Sequence, residues 1–296
     1  MEGALTLNHM APDPRLEKEL QSGFRMPTYG IGTWGMGGRV RANSTHDAED
    51  IAALRAALEM GVRHIDTAEM YGDGHSEELV CHAIKGFDRG RLFIASKALG
   101  HHLGRAALIA SAENSLRRLD TEYLDLYMIH HPSDEVPIAE TMEAMDELAR
   151  CGLIRHVGVS NFALARLMAA QAASPQKIVA NQVHYSVRVR EPERTGLLRY
   201  CQENDVMLVA WQPVEQGVQG DLLNAVAASY DATPVQAALN WLISQPNVCV
   251  IAGTRHVAHL LENLGALAWR MEPQDVELLR EQYHDQADAS EVYSLR

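Results

Sequence analysis

Apolar residues in this chain come in short runs that end on a polar or special residue, and each run is followed by a stretch with helical spacing. The runs are TYGIGTW, VRHIDTA, LFIASK, YLDLYMIH, IRHVGVSN, IVANQVHY, VMLVAWQP and VCVIAGTR. Their nearly continuous apolar character, rich in Val and Ile, suits strands buried on both faces of a parallel sheet. Between them, DIAALRAALEMG sets Ile51, Leu54 and Leu58 on one stripe and stops at Gly61. IAETMEAMDELARCG does the same with Ile138, Met142 and Met145 before Gly152. Ser76 reads as the N-cap of a further helix, with Glu77 and Glu78 in the first turn where the helix dipole favours acids. Eight strand-like runs, each followed by a helix and spaced roughly 25–40 residues apart, require right-handed crossovers onto a parallel sheet. The natural closed solution is a (β/α)8 TIM barrel. Ahead of it, ELQSGFRMP reads as a short β-hairpin turning at Ser22 and Gly23. Residues 1–17 carry little pattern and read as a loosely ordered N-terminal extension.

Composition narrows this further. A length of 296 residues fits a single barrel domain spanning 1–296. The net charge of −13, with no compensating Lys/Arg block, argues against a nucleic-acid or anionic-membrane partner. Cys81, Cys151, Cys201 and Cys249 are far apart and form no C-x-x-C, which excludes a disulfide framework or zinc knuckle and suits reduced thiols in the cytoplasm. No apolar run reaches roughly 18 residues, and the N-terminus lacks the basic-then-apolar layout of a signal peptide. The expectation is a soluble, cytoplasmic enzyme-sized protein, monomeric or a small homo-oligomer.

In such a barrel the chemistry collects at the carboxyl ends of the strands. Those ends carry Asp66, Lys97, His130, Ser160 with Asn161, Gln182, Trp211, and Thr254 with Arg255. Each alone has a bland reading as a turn residue or solvated charge. Eight strand ends surround one opening, however, so Asp66, Lys97 and His130 should face the same cavity. Tyr71 follows Asp66 on the loop HIDTAEMYG. A phenol is a poor acid at its ordinary pKa of about 10, and a nearby ammonium such as Lys97 would stabilise the phenolate and lower that value. Asp66 can hold Lys97 charged and oriented, and His130 can donate a hydrogen bond to a carbonyl oxygen while Tyr71 delivers a proton to it. That set suits carbonyl reduction and contains no nucleophile paired with a base.

Gly30, Gly32 and Gly35 spell G-x-G-x-x-G after the first run, but no helix opens at Gly35 and no acid ends a second strand about 20 residues on. These glycines instead let the first strand end close to a ligand. A better nucleotide site is VCVIAGTRHVAHLLENL, which reads as strand, a turn with Gly253 and Thr254, then helix, with Arg255 as the cation. An ordinary βα loop with a solvated Arg is an equally good reading of that segment.

From about Leu20 to about Tyr283 the chain resembles the aldo-keto reductase family. The resemblance rests on MPTYGIGTWGMGG, HIDTAEMYG, SLRRLDTEYLDLYMIHHP, GVSNF, NQVHY and the IAGTR…LLEN tail, in matching order and spacing. It implies a NADPH-dependent reductase of aldehydes or ketones, with Asp66, Tyr71, Lys97 and His130 as catalytic tetrad and Tyr71 as general acid. It also implies that Ser160, Asn161 and Gln182 hold the nicotinamide carboxamide and that Trp211 stacks where the family usually has Tyr. Glu262 and Asn263 would meet the adenine, and Thr254 and Arg255 the 2′-phosphate. Gly32, Thr33, Trp34 and Gly253 would line the site, with Trp34, Tyr71, His130 and His131 facing the substrate.

Three positions depart from the family pattern. His131 stands where many members have Trp, Ala252 replaces a common Pro, and His259 replaces a frequent Arg on the phosphate-binding helix. The last leaves NADPH preferred and NADH possible. The substrate itself rests on loops 35–44, 184–195 and 213–221 and on the tail after Tyr283. Two other classes compete. One is a cofactor-binding regulatory or channel-associated subunit with little turnover. The other is a metal-dependent hydrolase or isomerase, suggested by 14 histidines including the pairs His101–His102 and His130–His131. Adjacent histidines point apart on a strand, which argues against a shared metal.

Overall fold

The computed structural model describes residues 16–214, 220–283, 286–287 and 289–295. A two-stranded antiparallel hairpin comes first, β1 (Glu17–Glu19) against β2 (Arg25–Pro27), with Lys18 opposite Met26. Eight parallel strands follow: β3 (Tyr29–Gly32), β4 (His64–Asp66), β5 (Phe93–Ala98), β6 (Leu124–Ile129), β7 (Ile154–Ser160), β8 (Ile178–His184), β9 (Met207–Trp211) and β10 (Val248–Ile251). They close in chain order into a barrel, with β10 pairing both β9 and β3. The surrounding helices are α1 (Asp47–Glu59), α2 (His75–Ile84), α3 (Arg105–Leu119), α4 (Ile138–Arg150), α5 (Leu164–Ala173), α6 (Glu191–Arg194) and α7 (Leu197–Glu203). The last four are α8 (Asp221–Ser229), α9 (Pro234–Ile243), α10 (Val257–Gly265) and α11 (Pro273–Gln282). All eight apolar runs thus become barrel strands.

The two-residue period of a strand divides the core. On β6, Leu126 and Met128 point into the barrel while Tyr127 and Ile129 meet the helices; Met207 and Val209 alternate with Leu208 and Ala210 on β9 in the same way. The hairpin region contributes Leu20, Phe24 and Met26 to the inner cluster. Phe24 packs edge-on against Phe93 and His156 at the strand starts, and Asp205 accepts from the backbone N–H of Gln21 and Ser22. The hairpin therefore plugs the amino-terminal end and leaves the carboxyl end open.

α1 ends as its sequence predicts. Gly61 is left-handed (φ 100°), its N–H bonds Leu58 O, and Val62 N–H reaches back to Ala57 O. Two expectations need correction. Ser76 is not a cap: α2 starts at His75 after left-handed Gly74, and the Ser76 hydroxyl is spent inside on Thr33 Oγ1 at 2.8 Å. Glu77 and Glu78 do lie in the first turn of α2, as expected, with Glu77 fully buried against Arg118. The patternless extension also ends earlier than residue 17, because Leu16 O accepts Thr28 N–H and Glu17 pairs with Pro27. Residues 1–15 lie outside the described ones. Among the described residues, no helix is long and apolar enough to cross a membrane.

Candidate active site

The barrel rule places one cavity at the strand carboxyl ends, with a volume of about 820 Å³. Asp66 ends β4, Lys97 lies one residue before the end of β5, His130 follows β6, Ser160 ends β7, Gln182 sits on β8 and Trp211 ends β9. Six ends of a closed barrel therefore carry six of the residues singled out above.

Their geometry is close-knit. The Lys97 ammonium donates to Asp66 Oδ1 at 2.6 Å, to Thr67 O at 2.9 Å and towards the Tyr71 hydroxyl at 3.4 Å. The other Asp66 oxygen accepts from Gln182 Nε2 at 2.7 Å. Tyr71 stands edge-on to His130, with ring centroids 5.6 Å apart, and to Trp34 at 5.0 Å. Nδ1 of His130 is buried and finds no partner among the described residues.

Burial decides the protonation states. It pushes the Tyr71 hydroxyl above its usual 10, and the opposing pull of Lys97 does not overcome it. The expectation that Lys97 lowers this pKa is thus corrected: its pull exists, but desolvation is larger. Burial likewise acts to lower Lys97, yet Asp66 and then Tyr71 outweigh it, and the ammonium stays charged. His130 is held well below 6.5, first by burial and then by Lys97, so it is neutral. The cluster therefore offers a protonated phenol with a fixed cation behind it and a neutral imidazole beside it.

The adjacent histidines do not point apart. His130 and His131 stack with centroids 4.5 Å apart and an interplanar angle of 10°, because both lie beyond the last strand residue, Ile129, where side chains no longer alternate. Burial takes His131 down to about 4. Tyr293 from the tail packs on the His131 ring at 4.3 Å. His101 and His102 are also in contact, with centroids 4.2 Å apart. Among the described residues, no cluster of three or more His, Cys, Asp or Glu side chains is placed to hold a metal.

Further along the cavity, Asn161 adopts φ 62° and its amide donates to His130 O at 3.0 Å and meets His131 Nδ1 at 3.1 Å. Its oxygen accepts Trp211 Nε1 at 3.1 Å, while Ser160 Oγ donates to Gln182 O at 2.9 Å. Trp211 stacks on His184 at 4.3 Å, and His184 Nδ1 meets Ser290 Oγ at 2.7 Å. The far end is formed by Gly253, Thr254, His259, Glu262 and Asn263, the last donating to the Tyr29 hydroxyl at 3.3 Å. The backbones of Gly32 and Gly253 approach so closely that a Cβ on Gly253 would lie 2.6 Å from Gly32 O. Gly30 differs: it makes room for the His64 ring, not for a ligand.

Three expected residues do not line the cavity. Thr33 is buried on Ser76, and Lys97 stands behind Asp66 and Tyr71. Arg255 is held by Asp50 and by Gly35 O. Sequence reasoning missed Met70, Gln212, Pro234, Val235 and Ile251, and it named the tail only as a region without Val292 and Tyr293. Of the loops expected to shape the pocket, 213–221 supplies Pro213 and Val214, with 215–219 outside the described residues. Loops 35–44 and 184–195 line nothing among the described residues.

The barrel thus gathers a buried phenol, an ammonium–carboxylate pair and a neutral imidazole at its open mouth. The chain belongs to the aldo/keto reductase family, whose model matches residues 29–284. Methylglyoxal reductase YeaE of Escherichia coli K12 is 34% identical over 266 residues, covering 87% of this chain and 91% of its own. Among solved structures, the thermostable aldo-keto reductase Tm1743, in complex with epalrestat, superposes with TM-score 0.87 and 45% identity over 89% of this chain and 98% of its own. An aldo/keto reductase from Klebsiella pneumoniae, in complex with NADP and acetate, gives TM-score 0.80 and 32% identity over 94% and 98%.

Proposed function

We propose that this chain reduces a small aldehyde or ketone to the alcohol, with NADPH as cofactor, Tyr71 as proton donor and Asp66, Lys97 and His130 as its supporting set. The observation that carries the reading is the unbroken chain Gln182–Asp66–Lys97–Tyr71, with contacts of 2.7, 2.6 and 3.4 Å.

The residues present fit a nicotinamide nucleotide. Ser160, Asn161 and Gln182 offer amide and hydroxyl groups on one stretch of the cavity wall, and Trp211 offers a flat face beside them. Gly32 and Gly253 keep the floor free of side chains, and Thr254, His259, Glu262 and Asn263 form the end suited to an adenosine. Bound there, the cofactor supplies a hydride to the carbonyl carbon.

The protein's own groups handle the oxygen. His130, neutral through burial, can donate one N–H to the carbonyl oxygen and polarise it. Tyr71 stays protonated in its buried setting and gives up its proton as negative charge grows on that oxygen. Lys97 then faces the new phenolate at hydrogen-bond range, and Asp66 keeps Lys97 charged and aimed. Trp34, His131 and Tyr293 wall the substrate side with rings that leave room for a short polar molecule. A small 2-oxoaldehyde of the methylglyoxal type suits that wall, and the name of the Escherichia coli relative points the same way.

The test is NADPH oxidation at 340 nm across methylglyoxal, glyoxal, aromatic aldehydes, sugars and ketosteroids, with and without chelator. Turnover of short dicarbonyls that persists in chelator is the expected result. Bound NADPH with no turnover on any substrate would leave only a binding role.

A further inference from the structure

Arg255 occupies the loop between β10 and α10, next to Thr254 at the far end of the cavity, yet its guanidinium is turned elsewhere. Its Nε donates to Asp50 Oδ1, and Nη2 contacts Gly35 O and lies 3.4 Å from Asp50 Oδ2. Asp50 belongs to the first turn of α1 and its side chain is only 1% exposed. It also accepts Gly37 N–H at 2.9 Å on Oδ2. A buried carboxylate is costly without a cation, so this pairing is held in place by desolvation rather than by chance surface contact.

We propose that Asp50 is a specificity-determining residue for the cofactor: it retains Arg255 and so weakens discrimination between NADPH and NADH. The inference rests on the reading above, in which the adenosine end of the cofactor lies by Thr254 and Glu262. A guanidinium recognises phosphate best through two parallel N–H groups. In Arg255 the Nε–Nη2 edge is given to Asp50, and Nη2 is also shared with Gly35 O. A 2′-phosphate would have to share the remaining edge, with the Asp50 carboxylate close behind it. Two further features of that end act in the same direction. His259, an imidazole where a guanidinium would offer a planar fork, stands on α10, and Glu262 adds an acid to the cavity wall. Full engagement of Arg255 with a phosphate would also release Gly35 O and remove the cation of the carboxylate that anchors the loop just after Trp34.

The experiment measures dissociation constants of NADPH and NADH by nicotinamide fluorescence for the full chain and for Asp50→Asn, Arg255→Ala and the double variant. Asparagine keeps an acceptor for Gly37 N–H while removing the charge that retains Arg255. Asp50→Asn is expected to raise the preference for NADPH roughly tenfold, the scale of one charge-assisted hydrogen bond set free. Arg255→Ala alone should change the NADPH-to-NADH ratio by less than about threefold, and the double variant should abolish the tenfold gain. Should Asp50→Asn fail to fold, Asp50→Ser, which removes the same charge, takes its place with the same expected gain, and Arg255→Ala is read beside it. A tenfold or greater loss of NADPH affinity in that variant, with NADH unchanged, overturns the proposal while leaving the binding mode intact. If both cofactors bind and no variant changes the ratio, the 2′-phosphate is read elsewhere, and the binding mode falls together with the proposal.

Discussion

The Lys97 ammonium lies 2.6 Å from the Asp66 carboxylate, and both side chains are withdrawn from solvent. Gln182 and Thr67 complete their hydrogen bonds, so this is a closed pair and not two loose charges. Such a pair tolerates burial only while both members are present. Lys97→Met strands a carboxylate in the barrel and is expected to cost about 3–5 kcal/mol of stability. Adding Asp66→Asn should restore much of that stability in urea denaturation without restoring turnover. An unfolding midpoint for Lys97→Met equal to that of the parent would show that the pair contributes nothing to the fold.

Tyr71→Phe removes one hydroxyl from the proposed substrate face and leaves the ring against Trp34 and His130. Reduction should fall by about 10²–10⁴-fold, the usual worth of a positioned proton donor. NADPH affinity should change by less than about threefold, since the ring and its neighbours remain. Fluorescence titration beside steady-state kinetics separates these effects, and a large loss of binding would remove Tyr71 from the acid's role.

Acid should destabilise the protein over a defined window. Burial holds His64, His131 and His184 down to about 4 from the ordinary 6.5. Between those values the unfolded chain binds protons that the folded chain refuses, so stability rises with pH through the window. It is complete above about 6.5 and is lost as pH falls towards 4. For His64, fully buried against Gly30 and Phe93, the loss is on the order of 3 kcal/mol. His64→Leu should flatten the acid limb of a stability-against-pH curve, and an unchanged limb would assign the loss to other groups.

Much of this was legible in the chain because burial on both faces leaves parallel strands as plain apolar runs, and a barrel admits chemistry only at their ends. That logic located Asp66, Lys97, His130, Ser160, Gln182 and Trp211 together. What stayed hidden depends on side-chain partners far away in sequence. Arg255 reads as a free cation until Asp50, 205 positions earlier, is seen to hold it. Ser76 has the residue type and the acids of a cap, but left-handed Gly74 starts the helix two residues sooner, and the hydroxyl turns inward. The direction of the Tyr71 shift was equally unreadable, because how deeply Trp34, His130 and the barrel bury it is a property of packing, not spacing. Tyr293 lies in a tail with no periodicity to announce its place.

That tail is fastened at several points. Ala287 N–H bonds Arg188 O at 3.0 Å, Ser290 meets His184, and Glu191 accepts the N–H groups of Ser290 and Leu295 at 3.3 and 3.2 Å. These contacts bring Tyr293 onto His131, one ring away from His130. Tyr293→Ala should therefore enlarge the substrate side of the cavity and admit water to the imidazole pair. For short carbonyl substrates, KM is expected to rise about tenfold, in line with one lost aromatic contact and the water that replaces it. The NADPH dissociation constant should stay within about threefold, because the wall of Ser160, Asn161 and Gln182 proposed to hold the cofactor is untouched. Bulky aromatic aldehydes should lose least or gain, since they can fill the vacated space. A uniform loss across small and large substrates would mean that Tyr293 supports the fold of the tail and does not shape the pocket.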